Sequence, residues 1–143
     1  MRKWIALILA AAAGAALAHT DESLDGVKAP HGGQLRMAGP YHFELVVSPV
    51  GEGLRERPIV VYLTDHAGKN VPAAQASGLA EISAGDIQAI ATLAPGGDNR
   101  LAGVARFAMR KDMRVTLSIR MGDGKEYKAS FTPLDKPAAK HAH

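Results

Sequence analysis

The segment Tyr41–Val47, YHFELVV, alternates strictly: Tyr41, Phe43, Leu45 and Val47 fall on one side, His42, Glu44 and Val46 on the other. A period of two is the mark of a strand with one face buried. Arg114–Met121 repeats it, with Val115, Leu117, Ile119 and Met121 expected inward and Thr116, Ser118 and Arg120 outward. Pro58–His66 is a β-branched run, and Leu79–Ser83, Ile87–Ala94, Arg100–Met109 and Glu126–Leu134 are further strand candidates. In the last of these Tyr127, Ala129 and Phe131 share a face. Turn residues separate the runs: Gly39-Pro40, DHAGKN at 65–70, PGGDN at 95–99 and Asp123-Gly124. Gly, Asn and Asp accept the backbone angles that tight turns require. Val71–Ala80 is Ala-rich, but Pro72 and Gly78 make it a loop or an irregular edge rather than a helix. Seven or eight short strands without helical periodicity predict an all-β fold, an antiparallel β-sandwich of immunoglobulin-like type. Its expected core contains Tyr41, Phe43, Leu45, Val61, Leu63, Leu117, Ile119 and Phe131.

The two ends break this pattern. Met1-Arg2-Lys3 is a short basic start, Trp4–Ala18 is uncharged and apolar, and Ala16-Leu17-Ala18 offers small residues where a signal peptidase reads. Residues 1–18 therefore read as a secretory signal peptide cut after Ala18. The apolar run is also short of the ~20 residues a membrane span needs. A mature chain from His19 would open with an extended polar lead-in, 19–29, followed by the sandwich domain, 30–135. The tail 136–143, KPAAKHAH, has nothing to bury and is expected to be flexible.

Composition narrows the chemistry. Of 17 Lys and Arg, two leave with the signal, so 15 basic residues face 14 acidic ones, a net charge of about +1 with neutral histidines. These charges are scattered, which argues against nucleic acid as a partner. No second long apolar run argues for stable membrane insertion after cleavage. Cysteine is absent, so an exported chain must rely on its hydrophobic core, and any metal must bind His, Met, carboxylate or main-chain groups. A bacterial periplasm is the expected compartment.

No nucleophile elbow, phosphate loop, H-E-x-x-H or dinucleotide fingerprint is present, and no catalytic residue is assigned. Six histidines are the candidate chemistry: His19, His31, His42, His66, His141 and His143. Neutral imidazole suits copper, zinc and nickel. His42 and Glu44, at i and i+2, lie on one face of a strand about 7 Å apart. His31 precedes the partner strand, where Gly32-Gly33 lets the loop fold close. Met37 beside the turn is a soft donor suited to Cu(I). Otherwise His42 and Glu44 are a solvated face and His31 caps a loop. His66 is either a ligand or the variable position of an Asp65–Gly68 turn. Cleavage would make His19 the first residue, pairing its α-amine with Nδ1 as a chelate for Cu(II). His141 and His143 can hold metal loosely, without fixed geometry.

The stretch HGGQLRMAGPYHFELVV, then VYLTDHAGKNVPA and a later GDNRL turn, spans most of Pro30–Phe131. It resembles small exported proteobacterial proteins akin to the β-rich N-terminal portions of periplasmic adaptor subunits of heavy-metal efflux pumps. That resemblance implies a periplasmic sandwich associated with metal handling. A histidine-first start separately resembles periplasmic copper carriers of sandwich fold, whose later ligand motif has no counterpart here.

The expectation is thus a non-enzymatic periplasmic protein that binds a divalent transition metal, copper foremost, as a carrier or accessory of metal efflux. Its ligand candidates are His31, His42, Glu44, His66 and His19, and periplasmic efflux components are its expected partners. Two alternatives stay open: a non-metal module docking on an envelope complex, and a copper redox enzyme with a terminal-histidine site.

Overall fold

A computed structural model describes residues 21–135. The expected signal peptide 1–18, His19 and the tail 136–143 lie outside the described residues. Eight antiparallel strands make up almost all of the regular structure. They are β1 (Gln34–Ala38), β2 (Tyr41–Val47), β3 (Arg55–Asp65), β4 (Ser77–Ala84), β5 (Ile87–Pro95), β6 (Arg100–Phe107), β7 (Arg114–Arg120) and β8 (Glu126–Phe131). Their order across one nearly closed sheet is β1-β2-β3-β6-β5-β4-β7-β8. No helix among the described residues is long and apolar enough to cross a membrane.

β5 is the corner of the sheet. It pairs with β4 from Gly78↔Leu93 to Ala84↔Ile87, but with β6 only at Ala94↔Ala102 and Pro95↔Leu101. The opposite seam, between β1 and β8, is bridged by side chains. The Thr132 amide donates to Gln34 Oε1 at 2.8 Å, and the Tyr127 ring packs on Gly39.

The alternating residues close on one core. Phe43, Ile59, Val61, Leu63, Leu101, Phe107, Val115, Leu117 and Ile119 are fully buried, with Leu45 and Phe131 nearly so. Tyr41 is only half-buried, because its ring meets Tyr127 edge-on at 5.1 Å at the rim of the sheet. The β1–β2 turn needs Gly39: its φ is 58°, and a Cβ there would collide with the Tyr127 ring.

Besides Ser77–Ala80, which belongs to β4, a strand paired on both sides, rather than to a loop or irregular edge, two features differ from the expectation. The lead-in is not uniformly extended, since Asp21–Asp25 forms one helical turn, α1. Leu24 and Ala29 pack on Leu35, with Met37 alongside, which gives the segment something to bury. Arg36 pairs with Asp25 at 2.7 Å, and the Met37 amide donates to Asp21 Oδ1 at 3.0 Å. The lead-in thereby blunts the free edge of β1, a surface that otherwise invites pairing.

Second, β3 begins at Arg55, so Pro58 lies inside a strand rather than at its start. β2 runs out at Val47↔Ile59, and from there towards Arg55 only β6 flanks the strand. A residue without an N–H is tolerated where one side of the ladder is open.

Candidate functional site

The hairpin register of β1 and β2 puts Leu35 beside Glu44 and Met37 beside His42. The β2–β3 register adds Tyr62 beside Glu44 and Thr64 beside His42. Cross-strand partners share a face, so these side chains line the sheet surface opposite the core. This is the face expected for His42 and Glu44. They are buried nonetheless, at 7% and 2% exposure: His31 and Gly33, before β1, fold over Glu44, and the His66 ring stacks on His42.

Glu44 is saturated from that cover. One carboxylate oxygen accepts the His31 and Gly33 amides at 2.9 and 3.0 Å, and the other lies 2.9 Å from His31 Nδ1. Gly33 fits there because it has no side chain; a Cβ would strike the Leu45 carbonyl. A carboxylate accepts only, so Nδ1 carries the proton and, in the neutral ring, Nε2 carries the lone pair. The His31 ring lies flat on Tyr62, with centroids 3.5 Å apart and planes 2° from parallel. Glu44 thus orients an imidazole, as the outer partners of metal-binding histidines do.

His31 and Tyr62 form one wall of an open groove of about 720 Å³. Asn70, Pro72, Asp98 and Arg100 supply other parts of its lining. The 95–99 turn shapes this wall. Asp98 adopts φ 48°, the Ala73 amide donates to its carbonyl, and buried Asn99 donates from Nδ2 to the Leu63 carbonyl at 3.0 Å. Arg100 is directed at its own turn through Nε and Nη2, both donating to the Gly96 carbonyl.

His42 and His66 form a second pair. Their rings stack at 4.9 Å, 24° from parallel, and His66 Nε2 lies 3.0 Å from the Gly39 carbonyl. The turn carrying His66 is held as its composition suggests: Asp65 Oδ1 accepts the Ala67 and Lys69 amides, and Gly68 adopts φ 79°. Four of the five candidate ligands therefore come together as two pairs, His31–Glu44 and His42–His66, and His19 is outside the described residues. Among the described residues, no three His, Cys, Asp or Glu side chains gather to hold one ion.

Sequence reasoning missed Tyr62 and Arg57. Tyr62 was legible in principle, because pairing β2 with β3 from the turn outward places it beside Glu44. Arg57 carried no signal. It is 2% exposed, and its guanidinium donates to the carbonyls of Phe107, Val50, Gly51 and Gly53.

No family model, no curated protein and no solved structure matches this chain.

Proposed function

We propose that this is an exported periplasmic protein that binds a transition metal, copper foremost, and serves as a carrier or accessory in metal efflux. The observation that carries this is the gathering of oriented imidazoles around one end of β2: His31 held by a buried carboxylate, and His42 stacked on His66 of the turn after β3. Ion handling by such a face does not need a closed cage. Closed four-ligand sites serve structure, whereas open positions allow exchange, and a carrier has to release its cargo. The signal-like start of the sequence and its resemblance to adaptor subunits of efflux pumps support the compartment and the partners. The corner at β5 supports an immunoglobulin-like sandwich, with β1-β2-β3-β6 and β5-β4-β7-β8 as its two layers.

Calorimetric titration of the exported chain with Cu(II), Cu(I) and Zn(II) tests this, alongside a variant lacking residues 140–143. Binding that survives the tail deletion is the expected result. Loss of all binding with the tail, or none in either form, contradicts it.

Docking on an envelope complex is favoured by a separate observation. Arg57 fixes the 48–54 loop, which presents Val50 at 76% and Leu54 at 46% exposure.

A further inference from the structure

We infer that the exchangeable metal site is His31 Nε2 together with the Asp98 carboxylate, in the groove walled by Tyr62, with Glu44 as the positioning residue rather than a ligand. This rests on the metal-binding function proposed above and names its site. Three observations converge on it.

The Glu44 oxygens are taken by three N–H groups, so Glu44 has little left to offer an ion. The same contacts fix the His31 tautomer with its lone pair on Nε2, and no described residue is hydrogen-bonded to that atom. The ring is held from below by Tyr62 while its side chain stays 42% exposed. An imidazole fixed before the ion arrives avoids the ordering cost that a mobile ligand bears.

The rest of the groove sets the ligand class. Asp98 is the acidic residue of the same groove lining. One imidazole and one carboxylate suit a borderline divalent ion such as Cu(II) or Zn(II). Water or a donor from a partner completes the coordination. Arg100 opposes the ion: a guanidinium lining the same groove raises the local potential. Affinity is thereby kept modest, as release to a partner requires. The stacked His42–His66 pair is a poorer candidate, because imidazole lone pairs lie in the ring plane and face-to-face rings do not converge on one ion.

The test uses Cu(II) and Zn(II) titrations of the full exported chain and four variants, with amide NMR spectra recording the fold of each. His31→Gln should weaken the tightest site in the body of the protein at least tenfold, and Asp98→Asn several-fold. Arg100→Gln should tighten it several-fold, an effect that a site in the tail would not show. Glu44→Gln should weaken it and also shift the His31 ring nitrogens towards a mixture of tautomers in ¹⁵N spectra. If Glu44→Gln fails to fold, the His31, Asp98 and Arg100 variants still decide. Body binding unchanged in His31→Gln overturns this site while leaving metal binding intact. No body binding in the parent overturns the function as well.

Discussion

Two buried polar side chains, Glu44 and Arg57, carry opposite charges and are both met by several hydrogen-bond partners. Glu44 accepts two amides and the His31 imidazole; Arg57 donates to four carbonyls. Burying either group without partners costs several kcal/mol, and orphaning a buried partner costs about 1–3 kcal/mol. Glu44→Ala leaves three donors without their acceptor, and is expected to destabilise the fold by about 3 kcal/mol. Denaturant unfolding measures it, and a loss below about 0.5 kcal/mol would show that the carboxylate is dispensable. Arg57→Met keeps the bulk but strips the carbonyls of their donor. The expected cost is about 2–4 kcal/mol, less than the sum of its bonds because burying the guanidinium itself carries a desolvation cost. Hydrogen exchange should also quicken across residues 48–54, and unchanged exchange there would show that the loop holds without Arg57. Neither role was readable from sequence alone. Glu44 sits in an alternating strand where it reads as a solvated residue, and the partners of Arg57 include Phe107, fifty positions away.

Turns are the elements whose chemistry is most local, and they were the most legible. Asp65, Gly68, Asp123 and Gly124 all act as turn residues do: Asp65 Oδ1 and Asp123 Oδ1 cap amides two residues on, and both glycines adopt positive φ. The β7–β8 turn adds a longer contact. The Tyr127 hydroxyl donates to Asp123 Oδ2 at 2.6 Å, beside Tyr41. This bond pushes the Tyr127 phenol up to about 12 and, with the Lys125 amide, holds the Asp123 carboxyl below its usual value. Tyr41 is also raised, by burial first and by Asp123 second.

The pH signs follow from these directions. A raised tyrosine contributes stability below its unfolded value near 10, and loses it as pH climbs towards 12. A depressed aspartate contributes above its unfolded value near 3.8, and loses it as pH falls through the lower folded value. NMR titration should therefore find the Asp123 carboxyl acid-shifted in the parent and returned towards the ordinary range in Tyr127→Phe. An Asp123 titration identical in both would refute the pairing. Strand boundaries were less local. β3 begins at Arg55 because β6 pairs with it beyond the end of β2, a long-range fact that Pro58 masked.

At the scale of the whole molecule, alternation and β-branched runs were enough to find most of the strands and most of the core. Phe43, Leu45, Val61, Leu63, Leu117, Ile119 and Phe131 all lie inside. Phe43→Ala should cost about 3–5 kcal/mol in denaturant unfolding, a large share of the 5–15 kcal/mol typical of a domain; a variant as stable as the parent would contradict the packing. Strand order was not legible. Whether β3 meets β6, and β4 meets β7, depends on sheet curl and loop paths that no local pattern encodes. The site follows the same rule. Hairpin spacing brought His31 near Glu44 within reach of sequence reasoning, whereas the His42–His66 stack follows from the β2–β3 register, in which His42 stands opposite Thr64. The groove, by contrast, exists only because β6 and its turn lie beside Tyr62, with Arg100 opposite it in the register. The most direct measurement is paramagnetic broadening of the ¹⁵N-labelled exported chain by substoichiometric Cu(II). Signals from His31, Tyr62 and Asp98 should be lost first, with the 48–54 loop unaffected; broadening confined to residues 140–143, with the groove signals intact, would contradict a groove site.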